Sequence, residues 1–352
     1  MSVKRISFIC LLLILSFNQL TSAAPVKLNL KAAIAMAETN NDELAAARLL
    51  LSQSELELKK AKAANSLNQH LAIEITAKIN YLTAQKNFSN SRADIIKDII
   101  AQYLDILIVK KEIHAQQLTV KAEKRLYEEY QQRFKLAEIN RIDLLDQQNI
   151  YRDAEINLQI LKDDYQQKLL NFKNSLNISS AKKLQLAEIE QLKKWEITEN
   201  EALKTAFANN FQLQIANLEI KQAELSKKLQ KIDQAAIEQQ LAQIKLKQKQ
   251  LNLKQLQDQL KSDVKASYLN LKQKENLITL EKERLDKIEQ EFKFVQREYE
   301  LGSSSKTEAL QYEAAYYQQL FTWQNSLLNY CLQAEELADL IKIEPVVIDY
   351  AD

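Results

Sequence analysis

The amino-acid sequence predicts an all-α fold built from two tandem repeats of long coiled-coil helical hairpins. Three observations carry that prediction. The 352 residues include one Gly and two Pro, against usual shares of about 7% and 5%. Leu, Lys, Gln, Glu and Ala dominate instead, and all are strong helix formers. The chain also matches itself at a fixed offset of 165 residues.

The shortage of Gly and Pro removes most of the means of turning, since hairpins and tight loops depend on them. Pro25 lies near the leader and Pro345 in the tail, so no proline interrupts the body. The self-match pairs the run from Asp98 to Ile106 with the run from Asp263 to Leu271. The same offset pairs Phe134 with Tyr299, Leu136 with Leu301, Ala137 with Gly302, Leu145 with Leu310 and Tyr151 with Tyr316. Nearer the repeat starts, Ala37–Leu44 resembles Ala206–Leu213 at an offset of 169, so repeat two is four residues shorter there.

Within each repeat a first helix begins near Lys31 or Glu199, and Asn40-Asn41 or Asn209-Asn210 marks a break. A very long helix then runs from about Thr76 to Leu136 and, in repeat two, to Leu301. Leu253, Leu256, Leu260, Val264 and Leu271 show the spacing in threes and fours of a coiled-coil seam. Return helices follow, from Arg141 to Asn174 and from Lys306 to Ile341. In the second turn the one Gly, Gly302, stands where a helix C-cap wants it, with Ser303, Ser304 and Ser305 available to cap the next helix. In the first turn Asn140 is the expected cap. The resulting division is a signal peptide over 1–23, repeat one over 24–178, a loose connector over 179–198, repeat two over 199–343 and a flexible tail over 344–352.

The leader rests on Lys4 and Arg5, an apolar run from Ile6 to Phe17, and small residues up to Ala24. The run is too short to cross a bilayer, which takes roughly 20 residues. Cleavage is expected after Ala23, with an uncleaved anchor as the alternative; Cys10 lies too early to be a lipidation site. Losing Lys4 and Arg5 lowers the formal charge from +1 to −1. A near-neutral chain is not an electrostatic nucleic-acid binder. Cys331 alone remains in the mature part, which excludes an intrachain disulfide and suggests a buried small hydrophobe.

At the turns the sequence resembles the TolC-like outer-membrane efflux family. Repeat one reads Arg133-Phe134-Lys135-Leu136-Ala137-Glu138-Ile139-Asn140-Arg141-Ile142-Asp143-Leu144-Leu145-Asp146-Gln147-Gln148, and repeat two reads Arg297-Glu298-Tyr299-Glu300-Leu301-Gly302 through Gln311. The opening from Leu28 to Asn41 is similar too. The resemblance implies a homotrimer forming a hollow α-barrel in the periplasm, topped by an outer-membrane β-barrel, in a Gram-negative-type envelope. It implies a passive efflux or secretion conduit that docks a periplasmic adaptor and an inner-membrane transporter through its turns. A non-channel scaffold derived from the family is the alternative.

The family inserts two strands per repeat between the first and second helices, here near Ala64–Ala77 and Ile232–Ile244. One candidate strand alternates apolar and polar residues from Leu71 to Tyr81, but no partner strand follows it. Repeat two reads as helix there, so the β-barrel strands are expected to be absent or vestigial, and membrane contact stays open.

Carried over by position, Leu136, Ala137, Leu301 and Gly302 are adaptor-docking turn residues, and Asp143, Asp146 and Glu308 form an acidic constriction. Two readings of the carboxylates stand. One is a cation-favouring ring; the other is N-terminal helix capping, at least for Asp143 and Glu308. No catalytic, cofactor or metal site is expected, and the chain is not read as an enzyme. His70 and His114 lie far apart and are read as solvated. Tyr299, Tyr312, Tyr316, Tyr317, Phe321 and Trp323 are expected to pack between helices.

Overall fold

The structure, a computed structural model, describes residues 26–68, 71–188, 194–229 and 236–343. The leader, His70 and the tail therefore lie outside the described residues. In chain order the elements are β1 (Val26–Leu28), α1 (Leu30–Asn40), α2 (Asp42–Asn68), α3 (Leu71–Lys135) and α4 (Arg141–Ser175). They continue with β2 (Leu184–Leu186), α5 (Glu199–Asn209), α6 (Phe211–Leu229), α7 (Ala236–Glu300) and α8 (Lys306–Ile341). The fold is all-α, and the two strands are three residues each. No described helix is long and apolar enough to cross a membrane.

The paired asparagines divide two tasks at each break. Asn41 and Asn210 leave the helix at ψ near 116° and 115°. Their side chains then accept from the amides of Leu44 and Leu213, at 2.8 and 3.0 Å, to start the next helix. Asn40 and Asn209 instead donate to the carbonyls of Leu176 and Ile341, at 3.1 and 3.2 Å. Each break is thereby fastened to the end of its own repeat's return helix. Those ends match as well, because Asn177 and Lys342 both adopt φ of 56°.

Helices α3 and α7 are 65 residues each, rods of roughly 98 Å at 1.5 Å per residue. Towards the turns, neighbours follow the order α4, α3, α8, α7; towards the other end the order is α2, α3, α6, α7. Helix α3 is thus interior along its whole length, whereas α4, α2 and α7 are edges. Aromatic stacks clasp the two hairpins at equivalent points: Tyr127 on Tyr151 at 6.0 Å, and Phe292 on Tyr316 at 5.8 Å. Each member of the second pair lies 165 residues after its counterpart in the first. The repeat is therefore carried by contacts as well as by helix boundaries.

The main core gathers where α1 and α5 cross the long helices. It includes Ile100, Tyr103, Phe172, Leu176, Val264, Leu271, Tyr330 and Leu337, all essentially inaccessible. Cys331 lies in it, and burial pushes its thiol up to about 12. The described part of the connector contains a strand that its sequence does not suggest. β2 pairs in parallel with β1, and the Tyr103 hydroxyl lies 2.7 Å from the Ala187 carbonyl and 3.0 Å from that of Leu28.

One local reading needs correction. The alternating stretch from Leu71 to Tyr81 is the start of α3, which begins five residues before Thr76. Ile75 and Leu82, seven residues apart, face inward, so the run also satisfies helical spacing. Without a neighbouring strand, intrahelical bonds are what satisfy its backbone. Of the second proposed insert, residues 236–244 are helical and residues 232–235 lie outside the described residues.

Candidate functional site at the hairpin turns

The two turns joining α3 to α4 and α7 to α8 have the same backbone construction. The Ala137 amide donates to Phe134 O at 3.0 Å and the Glu138 amide to Arg133 O at 2.9 Å. The Gly302 amide donates to Tyr299 O at 3.0 Å and the Ser303 amide to Glu298 O at 2.8 Å. This pair of bonds is the Schellman C-cap, whose C′ residue is left-handed. Ala137 occupies it at φ 57° and Gly302 at φ 76°.

The difference between Ala and Gly gives a direct stability test. A side chain in the left-handed region costs about 1–2 kcal/mol. Ala137→Gly is expected to raise stability by about 1 kcal/mol, and Gly302→Ala to lower it by a similar amount. Urea denaturation of the two variants checks this; a shift in the same direction for both would contradict it. No atom lies within 4 Å of a Cβ added at Gly302, so backbone conformation alone sets the effect there.

Two of the three acidic candidates, Asp143 and Glu308, are engaged in capping. Asn140 Oδ1 accepts from the amides of Ile142 and Asp143 at 2.7 and 3.0 Å, while Asp143 Oδ2 accepts from the Asn140 amide at 3.3 Å. Ser305 Oγ accepts from the Glu308 amide at 3.0 Å, and Ser304 Oγ donates to Glu308 Oε2 at 2.9 Å. Asp143 and Glu308 are thus equivalent third-position residues, each bonded within its own turn. Asp146 lies a turn further along α4 and is exposed.

The docking candidates form an apolar tip. Leu136 is 69% exposed and Leu301 76% exposed. Phe134, Tyr299 and Ile142 are exposed with them, and Lys306 Nζ sits 4.8 Å from the Tyr299 ring centre. Tyr299 therefore belongs to the tip and not to the interhelical packing expected for it. Ile142 was missed; its signal is an apolar residue in the first turn after a cap, where nothing in its own helix covers it. Leu145 is 43% exposed but its repeat partner Leu310 only 7%, because Leu310 packs on Leu118 and Ala122 of α3. The sequence match cannot register that α8 is inside the layer and α4 at its edge.

The remaining aromatic residues are half-buried along α8. Tyr317 meets His114 edge-on with ring centres 4.3 Å apart, so the exposed His114 covers part of the seam between repeats. Lys282 Nζ lies 5.5 Å from the Trp323 ring centre. Among the described residues, no three His, Cys, Asp or Glu side chains are grouped as metal ligands.

Two long hairpins with interrupted first helices make up this architecture, and solved structures share the overall fold. The fold is TolC-like. It superposes on CusC, a transmembrane channel, with a TM-score of 0.64 and 12% identity, over 90% of this chain and 92% of that one. It matches the CmeC outer membrane channel of Campylobacter jejuni with a TM-score of 0.63 and 11% identity, over 89% and 85%. The outer membrane protein VceC of Vibrio cholerae gives a TM-score of 0.59 and 11% identity, over 89% and 94%. These are TolC-family channels, and at such identities the likeness establishes the TolC-like fold alone. Neither a family model nor a curated protein sequence matches the chain.

Proposed function

We propose that this chain is a wall segment of a passive efflux or secretion tunnel in the bacterial envelope, assembled as a ring of identical copies, three by analogy with the TolC family. The observation that carries the reading is a pair of apolar edges left open by one protomer. Along α4, Ile150, Ile156 and Ile160 are exposed; along α7, Leu269, Leu280 and Phe294 are exposed. The edges lie on different helices at opposite sides of the layer, so the fitting contact is head to tail, and head-to-tail contacts form a ring when the rotation between copies closes. The apolar tip at Leu136 and Leu301 then faces an adaptor and, beyond it, a transporter that supplies the energy. The role is conduction and not catalysis. Asp143 and Glu308 act chiefly as caps, and any effect on cation passage is secondary.

A mass measurement on the mature protein, with and without detergent, tests the reading together with conductance in planar bilayers. A trimer that conducts is the expected outcome; a monomer without conductance would sink it. A photo-reactive residue at Leu301 should form an adduct with an envelope adaptor in cells, and absence of any adduct would remove the docking role.

One observation favours the alternative of a non-channel scaffold. Residues 71–81, where the resemblance places a barrel strand, are helical. A trimer that forms without detergent and does not conduct would select this second reading.

A further inference from the structure

The two ends of the rod carry opposite charge. At the end away from the turns, residues 54–68, 71–85, 216–229 and 236–250 hold ten lysines and six glutamates, a net charge of +4. At the turn end, residues 121–155 and 286–320 hold eleven basic and fifteen acidic side chains, a net charge of −4. The near-neutral total hides this polarity.

The positive end has a particular chemistry. Every basic residue in those four segments is a lysine. Lys59 and Lys249 are engaged by Glu55 and Glu219 at 2.8 Å. Lys60, Lys62, Lys221, Lys245 and Lys247 stand at exposed positions on three different helices. Beside them Leu71 and Ile73, at the start of α3, are exposed as well. Lys60 lines a cleft between α2 and α3 and Lys245 another between α6 and α7, while Lys62, Lys221 and Lys247 line neither. Charge divided in this way over several helices suits a laterally extended layer of negative charge better than a compact anion. Lysine supplies compact, hydrated charges that need no bidentate geometry. Each one near an anionic lipid surface contributes about 1 kcal/mol, and exposed aliphatic side chains can enter the headgroup boundary.

We propose that the end of the molecule opposite the hairpin turns seats on an anionic lipid surface. The inference needs only one protomer, so it does not depend on the tunnel reading. Flotation of the mature protein with vesicles tests it, comparing phosphatidylcholine alone with phosphatidylcholine mixed with phosphatidylglycerol. Binding is expected to the mixed vesicles only, and to be lost at high salt. Combining Lys60→Glu, Lys62→Glu, Lys245→Glu and Lys247→Glu should reduce partitioning by at least about 1,000-fold, with helicity by circular dichroism unchanged. Lys124→Glu with Lys135→Glu, at the turn end, should leave it unaltered. Equal binding to both vesicle types, binding to neither, or indifference to the four reversals would overturn the proposal. Competition by inorganic phosphate at constant ionic strength would also overturn it, by assigning the lysines to a discrete anion site.

Discussion

Tyr103→Ala is expected to lower the unfolding free energy by about 3–5 kcal/mol, the usual cost of emptying a buried aromatic site. The residue is fully buried, its ring meets Phe172 edge-on at 6.0 Å, and its hydroxyl joins β1, β2 and α3 at one point. Tyr103→Phe keeps the ring and isolates the hydroxyl. It should cost about 1–3 kcal/mol, because the Ala187 carbonyl loses its donor. The Leu28 carbonyl keeps the Ala187 amide at 2.9 Å. Burial, reinforced by the nearby Glu188 charge, pushes the Tyr103 hydroxyl up to about 12 from an ordinary 10.0. The unfolded chain then releases this proton near pH 10 while the folded chain holds it to about pH 12. This stabilising contribution is complete below pH 10 and lost as pH rises towards 12. Urea midpoints against pH measure it, and Tyr103→Phe should flatten that part of the profile. Burial raises Tyr330 in the same direction. A midpoint that increased above pH 10 would refute the assignment.

The second large effect concerns assembly. Ile156→Asp together with Ile160→Asp should reduce a ring to single chains, because both side chains point away from the protomer. Burying a large aliphatic side chain contributes about 1.5–3 kcal/mol, and an unpaired carboxylate in its place opposes contact further. Helicity of the single chain should not change. Phe294→Asp on the opposite edge should do the same, although it lies on a different helix. Mixing the two kinds of variant gives the sharper result. One intact α4 edge then meets one intact α7 edge, so the mixture should form dimers and nothing larger. Sedimentation equilibrium distinguishes this from association through like faces, in which Phe294→Asp would leave the α4 contact untouched.

Much of this fold could be read from residue types alone. The Asn-Asn breaks, the Asn140 cap and the Gly302 turn follow from local backbone chemistry, and the structure has each of them in place. The limits of the return helices were legible for the same reason, since caps mark them. The β1–β2 pairing was not legible. Three-residue strands carry too little alternation to register, and the hydroxyl that fastens them comes from Tyr103, 84 residues before its Ala187 acceptor. The start of α3 was misread because Leu71–Tyr81 fits both periods, and only the surrounding packing decides between them. At the candidate site, Leu136 and Leu301 were identifiable by repeat alignment, whereas Ile142 breaks the repeat and so escaped it. The split between Leu145 and Leu310 depends on which helix is interior, a tertiary property with no local trace.

The short sheet has a consequence for how the chain reaches this state. β1 precedes every helix of repeat one and β2 follows them all, so their pairing draws the two ends of that repeat together. A parallel pair of this kind cannot nucleate locally, and it gains little until the intervening hairpin has shortened the distance between its ends. The order of events is then constrained. Helices come first, the α3–α4 hairpin next, and the strand pair last, as a latch that reports completion of repeat one. Until β2 is in place, β1 waits with its backbone edge unpaired.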